Sequence, residues 1–175
     1  MIEAWALSIA KRIKKISPDS EASIEVMAYA LGYKLSFYII VLTTLLIGLA
    51  TGRAWETLLC LVGFQTLRKV SGGYHFESLT ACAVVSIVSL SILPHIYLNV
   101  TWTMILNGIA FVLVCWLAPA GIQKYTTIPD KHLPYLKAIS ILIVFSNFAI
   151  QSDVLALSLL FQAILLYPVK EVNTR

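Results

Sequence analysis

Long, largely apolar blocks dominate this chain and determine its predicted fold class. Segments such as Leu79 to Leu98 and Leu155 to Leu166 stay apolar along their length, whereas a surface helix of a soluble protein carries apolar side chains on one stripe only. A helix that is apolar all round needs an apolar solvent on every side, and the hydrocarbon core of a bilayer is such a solvent. The pattern therefore predicts an all-α, polytopic membrane protein.

Six apolar segments are candidate membrane-spanning helices, and together they form one predicted bundle over residues 33–169 of a single domain, residues 1–175. In chain order they are Tyr33 to Ala50, Ala54 to Leu67, Leu79 to Leu98, Trp102 to Ala118, Leu136 to Ile150 and Val154 to Val169. Several are shorter than the roughly 20 residues that cross a typical hydrocarbon core. The second segment also contains Glu56 and Gln65, so a re-entrant segment is the alternative to a span there.

The first 16 residues have the pattern of an amphipathic helix. Apolar side chains recur at intervals of three and four residues, at Ile2, Trp5, Ile9, Ile13 and Ile16. The cations Lys11, Arg12, Lys14 and Lys15 lie mostly on the remaining surface. Such a helix lies flat on an anionic leaflet, so residues 1–16 are predicted to be interfacial. Ser17 followed by Pro18 predicts that a second helix begins there, with Ser17 as its N-cap.

The few charged residues indicate how the chain is oriented. They make up 13% of the 175 residues, compared with roughly 25% in soluble domains. If six segments span and the N-terminus is cytoplasmic, all of the 13 Lys and Arg residues except Arg53 are cytoplasmic, in agreement with the positive-inside rule. This predicts a multi-pass protein of the cell membrane with both termini inside. Orientation also explains the formal charge of +4, so no nucleic-acid partner is expected.

Candidate chemistry is concentrated in the polar stretch from Arg68 to Ser78, on the predicted cytoplasmic side, and in the helix that follows. His75 is a titratable base, and Cys82 lies seven residues further on. A cysteine is a nucleophile only as a thiolate, and an imidazole can take its proton or stabilise the anion. Gly72 and Gly73 can adopt backbone conformations closed to other residues, so their amides are expected to approach a bound peptide or an oxyanion.

The spacing sets a geometric condition on a Cys-His pair. On one continuous α-helix His75 and Cys82 would share a face, but their Cα atoms would lie about 10 Å apart along the axis. His75 therefore has to lie off the regular helix, with the chain folded back at the glycine pair. Cys82 has to lie about one turn into the span.

These residues resemble the accessory gene regulator B family, membrane cysteine endopeptidases that process quorum-sensing pro-peptides in Gram-positive bacteria. The resemblance rests on Arg68, on the run Gly72-Gly73-Tyr74-His75 and on Cys82 in an apolar helix. The chain length, the six apolar segments and the basic amphipathic N-terminus are similar as well, so the resemblance covers nearly the whole chain.

The resemblance implies that His75 and Cys82 are the catalytic pair, and that Arg68, Gly72 and Gly73 support the substrate or the oxyanion. Cys82 would cleave a short precursor peptide of the AgrD type through an acyl-enzyme thioester, and the peptide would then close a thiolactone or lactone ring. The implied partners are that peptide and membrane lipids, and a homodimer stays open. No cofactor and no metal are implied.

Two interpretations without peptidase chemistry remain. A small transporter or exporter would carry polar groups near the middle of several spans, whereas the polar residues here gather at one edge. A non-catalytic membrane scaffold is the other alternative. Cys60 and Cys115 are interpreted as core residues, because they form no CxxC pair and free cysteine is often buried.

Overall fold

The apolar blocks of the sequence form α-helices. A computed structural model describes residues 1–18, 20–74, 78–121 and 129–167, and these ranges contain helices and no β-strand, which confirms the predicted all-α class. The helices are α1 (Ile2–Ile16), α2 (Ile24–Ala50), α3 (Ala54–Ser71), α4 (Leu79–Ile92), α5 (Val100–Leu117), α6 (Leu133–Ile150) and α7 (Asp153–Ile164). A 3-10 helix at Leu93–His95 extends α4, and another at Asp130–His132 precedes α6.

Several of these helices are suited to a membrane. α2, α5 and α6 are each long and apolar enough to cross the hydrocarbon core. α7, and α4 with its 3-10 extension, are apolar but shorter, while α3 carries more polar side chains. Within the described ranges, helix length and composition therefore support three of the six predicted spans. The other three coincide with shorter or more polar helices.

α3 is the central helix, although it is the most polar of the predicted spans. One side packs with α2 and α4 around Phe64, and another side packs with α5, α6 and α7 around Leu67. A Cβ on Gly63 would come within 2.7 Å of Ser158 Oγ, so α3 approaches α7 closely because position 63 has no side chain. Neighbouring helices cover part of α3, including its buried polar residues Thr57 and Ser71, while Trp55, Leu58 and Val62 stay exposed.

The helices run alternately between two ends of the bundle. At one end, Leu98 N after α4 donates to Asp153 Oδ2 at the start of α7 (3.4 Å). The Arg53 guanidinium before α3 lies at this end too, 4.5 Å from the centre of the Tyr97 ring. At the opposite end, the chain after α3 donates backbone hydrogen bonds to the segments after α5 and α7. We call this the Arg68 end, which comprises the end of α3, the start of α4 and the ends of α5 and α7.

The amphipathic helix α1 packs on α2 through its small side chains. Ala6 and Ala10 are buried, and a Cβ on Gly32 of α2 would lie 3.5 Å from Ala6 Cβ. The exposed apolar side chains of α1 include Trp5, Ile9, Ile13 and Ile16. Four of the five residues in the predicted apolar stripe therefore face the surroundings, as an interfacial helix requires.

The predicted start of the second helix at Pro18 was wrong. Ser17 caps the end of α1, because its N–H donates to Ile13 O (2.8 Å). α2 begins at Ile24 instead, where Ser23 Oγ accepts a hydrogen bond from Val26 N (3.2 Å). Proline is common just after a helix as well as at a helix start, so the dipeptide alone does not distinguish the two ends.

Candidate active site

Cys82 lies in the first turn of α4, at the Arg68 end. The helix begins at Leu79 because Ser78 caps it, with Ser78 Oγ accepting a hydrogen bond from Ala81 N (3.3 Å). Cys82 is therefore about one turn into the helix, as predicted. The first turn is a favourable place for a negative charge, since the unpaired backbone N–H groups of the helix lie there. The side chain is half-buried, whereas Cys60 is fully buried in the core.

A partly buried arginine at the end of α3 contacts this cysteine. Arg68 Nη2 lies 3.9 Å from the Cys82 sulfur and donates a hydrogen bond to the Tyr74 carbonyl oxygen (3.0 Å). The other terminal nitrogen, Nη1, donates to Gln162 Oε1 (3.1 Å). The guanidinium carbon also lies 5.6 Å from the centre of the Phe64 ring. These contacts hold a positively charged group beside the sulfur.

Cys82 and Arg68 line a small cavity between α2, α3 and α4. Its volume is about 40 Å³, more than the roughly 10–15 Å³ that one water molecule needs. The described residues that line it are Tyr33, Ser36, Phe37, Ile40, Phe64, Gln65, Arg68, Leu79, Cys82 and Ser86. Hydroxyl, amide and guanidinium groups lie there beside aromatic and aliphatic side chains. The cavity can therefore accept a small polar group, such as the carbonyl of a peptide bond.

The turn after α3 is fixed by backbone hydrogen bonds to two other segments. Gly73 N donates to Ala120 O (2.9 Å), and Ala120 N donates back to Ser71 O (2.8 Å). Tyr74 N donates to Leu165 O (2.7 Å). The segments that follow α3, α5 and α7 are thus joined next to Arg68.

The amides of Gly72 and Gly73 both donate hydrogen bonds within the protein. Gly72 N donates to Arg68 O (3.0 Å), and Gly73 N donates to Ala120 O. Each backbone N–H is a single donor, so neither amide is left for an oxyanion or a bound peptide in this arrangement. The two glycines instead supply φ angles of +69° and +130°, which other residues rarely adopt.

We expect Gly73→Ala to destabilise the protein. The new Cβ would lie 3.1 Å from Leu165 O and 3.2 Å from Gln162 Nε2, at a φ of +130°. Backbone strain of this kind costs about 1–3 kcal/mol, so the melting temperature in detergent should fall by several degrees. Gly52→Ala is the matched control, because its φ is +69° but no atom lies within 4 Å of the new Cβ. Equal decreases in melting temperature in the two variants would show that the crowding at Gly73 has no effect.

The structure brings together some of the predicted site residues. Arg68 and Cys82 contact each other, and the glycine turn lies beside them. His75 lies outside the described residues, so its role as the base stays a prediction. The Tyr74 carbonyl, the last described backbone group before His75, is bound by the same Arg68 nitrogen that contacts the Cys82 sulfur.

Gln162 of α7 is a site residue that sequence reasoning missed. Its side chain is fully buried and contacts Arg68, Gly72 and Ser71. The available signal was an amide within an apolar helix, since polar groups in membrane helices are uncommon and often functional. Metal binding has no comparable support, because the described ranges contain no group of three or more His, Cys, Asp or Glu that could hold an ion.

The start of α1 is bound to the start of α4, one turn before Cys82. Glu3 accepts hydrogen bonds from Thr80 Oγ1 (2.7 Å), Ser78 Oγ (2.8 Å) and Thr80 N (3.1 Å). These hydrogen bonds, the one from the Thr80 hydroxyl most of all, hold the pKa of Glu3 well below its usual range. The carboxylate also lies at the N-terminus of α4, where a negative charge is favoured. Glu3 thus fastens the amphipathic helix to the helix that carries Cys82.

We expect Glu3→Gln to lower the melting temperature at neutral pH, because a neutral amide replaces a carboxylate that accepts three hydrogen bonds from the start of α4 and one from the N-terminal ammonium. The pKa of Glu3 is lower in the folded chain than its ordinary value of 4.5. Its contribution to stability is therefore complete above that pH and declines as the pH falls further. The difference in melting temperature between wild type and Glu3→Gln should therefore become smaller in acid. Glu25→Gln, an exposed first-turn change in α2, is the control; a difference that widened in acid would contradict the assignment.

One family model and two known proteins are similar to this chain. A family model described as accessory gene regulator B matches residues 3–168. A protein of Halalkalibacterium halodurans described as AgrB-like is 23% identical over 180 residues, which cover 100% of this chain and 91% of the relative. The accessory gene regulator protein B of Staphylococcus carnosus is 29% identical over 149 residues, which cover 82% of this chain and 74% of the relative. No solved structure matches the chain.

Proposed function

The chain belongs to the accessory gene regulator B family, and from this we propose that it is a membrane cysteine endopeptidase that processes a short quorum-sensing precursor peptide of the AgrD type. Membership supports a role in the accessory gene regulator system. The observation that carries the peptidase chemistry is the Arg68 guanidinium, 3.9 Å from the Cys82 sulfur. In the proposal, the cation held at this distance stabilises the negative charge on the attacking sulfur, since cysteine reacts as the thiolate.

In the proposed reaction, the Cys82 sulfur attacks the carbonyl carbon of one peptide bond while His75 accepts the thiol proton. The C–N bond then breaks, and His75 returns the proton to the leaving amine of the C-terminal fragment. The signal part of the peptide remains on Cys82 as a thioester. An internal thiol or hydroxyl of the peptide attacks this thioester, which closes a thiolactone or lactone ring and releases the Cys82 thiol.

Arg68 is the proposed donor to the oxyanion that forms during the attack. Its guanidinium group lines the same cavity as Cys82, and one of its nitrogens already approaches the sulfur. The amides of Gly72 and Gly73 donate to carbonyl oxygens within the protein, whereas a donor nitrogen of Arg68 lies directly beside the reacting sulfur.

Ring closure also requires that water be kept away from the thioester. The cavity of about 40 Å³ lies between three helices and has aromatic and aliphatic side chains on its walls. In the proposed reaction, an internal nucleophile of the peptide that is held beside the thioester competes favourably with water. This gives a physical reason for placing the reactive thiol within a helix bundle.

We place the Arg68 end on the cytoplasmic side of the cell membrane. The basic helix α1 is bound to this end through Glu3, and Lys69 also lies there. Arg53 lies at the opposite end, beside Tyr97. The positive-inside rule then orients the bundle, and six passes follow if α3, α4 and α7 cross together with the three longer helices.

Intact mass spectrometry of the purified protein in lipid vesicles, mixed with a candidate precursor encoded beside its gene, tests the proposal. We expect an adduct with the mass of the N-terminal precursor fragment, located at Cys82 and absent from Cys82→Ala. The absence of both adduct and cleavage over several lipid compositions would contradict the proposal. A transporter or a scaffold would then explain the fold better.

A further inference from the structure

The amide of Gln162 joins three parts of the candidate active site. Its Oε1 accepts a hydrogen bond from Arg68 Nη1 (3.1 Å). Its Nε2 donates to Gly72 O (2.7 Å) and lies 3.3 Å from Ser71 Oγ. The side chain is 0% exposed, and these partners satisfy both ends of an amide that would otherwise be buried at a cost.

These contacts determine where the Arg68 guanidinium lies. An arginine side chain has several rotatable bonds, so a single weak contact with a sulfur atom does not fix its position. Gln162 binds Nη1, while the Tyr74 carbonyl binds Nη2, and the planar group is thereby held between two acceptors. Nη2 consequently points toward the Cys82 sulfur. Gly72 O is held by the same glutamine, so the turn and the guanidinium share one anchor in α7.

We propose that Gln162 is a positioning residue for the Cys82 reaction, which it affects by holding Arg68 beside the sulfur. This role rests on the proposed function, because it is a role in activating a cysteine nucleophile. Gln162 itself is not proposed to touch the substrate. The last helix of the bundle, α7, thus contributes to chemistry performed by residues of α3 and α4.

The test is the alkylation rate of Cys82 in full-length protein in vesicles, followed by peptide mass spectrometry so that Cys60 and Cys115 are counted separately. Gln162→Met removes both polar contacts at similar volume and is expected to slow alkylation at neutral pH about tenfold. In an Arg68→Met background the same change should alter the rate by less than about twofold, because its effect passes through Arg68. With precursor as substrate, kcat should fall while KM changes little.

Asn107→Leu is the matched control, because it removes another fully buried amide, one that donates to Val144 O (3.2 Å) in a different part of the bundle. It should lower the melting temperature without slowing Cys82 alkylation. Gln162→Asn, which keeps an amide but shortens it by one methylene, serves if the methionine variant does not fold. Like Gln162→Met, it should slow the alkylation of Cys82.

The outcomes separate this proposal from the proposed function. If Arg68→Met slows alkylation but neither Gln162 variant does, or if the effects of Gln162→Met and Arg68→Met multiply, the positioning role is overturned and the peptidase remains. If wild-type Cys82 forms no peptide adduct and neither Arg68 nor Gln162 affects its alkylation, the proposed function fails as well.

Discussion

Cys82→Ala is expected to reduce precursor cleavage to background, a loss of at least about 1000-fold. The thiolate is the only group in the proposed reaction that forms a covalent bond with the peptide, so nothing replaces it when the sulfur is removed. Cleavage is measured by mass spectrometry of the peptide products, with wild type and variant at equal density in the same vesicles. The variant should also keep the wild-type melting temperature, because Cys82 is half-buried and alanine leaves only a small void.

Cys115→Ala is the matched control for this loss. Cys115 is also a half-buried, free thiol in an apolar helix, but it does not line the cavity beside Arg68. The Cys115→Ala variant should cleave the precursor at the wild-type rate. Cleavage by Cys82→Ala at a rate close to that of Cys115→Ala would rule out Cys82 as the nucleophile.

Helix class was predictable from the sequence, whereas helix limits and neighbours were not. Apolar blocks specify that a segment is buried in protein or lipid, and this gave the all-α class and the approximate positions of the helices. The start of α2 was misplaced because Ser17 and Ser23 are both plausible caps, and only tertiary packing of α1 on α2 separates them. The central place of α3 depends on its packing against five other helices, so it has no local signature.

The candidate site shows the same difference between local features, which the sequence reveals, and contacts between distant segments, which it does not. The sequence could nominate the stretch from Arg68 to Ser78 together with Cys82, because residue types with evident chemistry lie close together there, and their catalytic roles stay a prediction. The use of the Gly72 and Gly73 amides was not predictable, since their acceptors come from the end of α3 and from the segment after α5. Gln162 lies 94 residues after Arg68, and nothing local connects the two.

Arg68→Met is expected to lower kcat/KM for the precursor about 100-fold, the usual effect of removing one oxyanion donor. The loss has two physical causes, since the same guanidinium favours the Cys82 thiolate and the oxyanion. Arg68→Lys should restore only part of the activity. A lysine keeps the charge, but its single nitrogen cannot reproduce the planar group that binds Gln162, Tyr74 O and the sulfur together.

Lys69→Met distinguishes the specific role of the Arg68 guanidinium from a general effect of positive charge at the Arg68 end. Lys69 is the next residue of α3, but its side chain is exposed and its Nζ lies 5.8 Å from the centre of the Phe37 ring, so the variant should retain nearly full activity. If Arg68→Met and Lys69→Met lost activity equally, and added salt weakened wild-type cleavage to the same extent, general attraction of the peptide would explain the arginine. A loss confined to Arg68, and insensitive to salt, is expected because its contacts are short-range and partly buried, and it would establish that the cation acts on the sulfur and the reacting carbonyl.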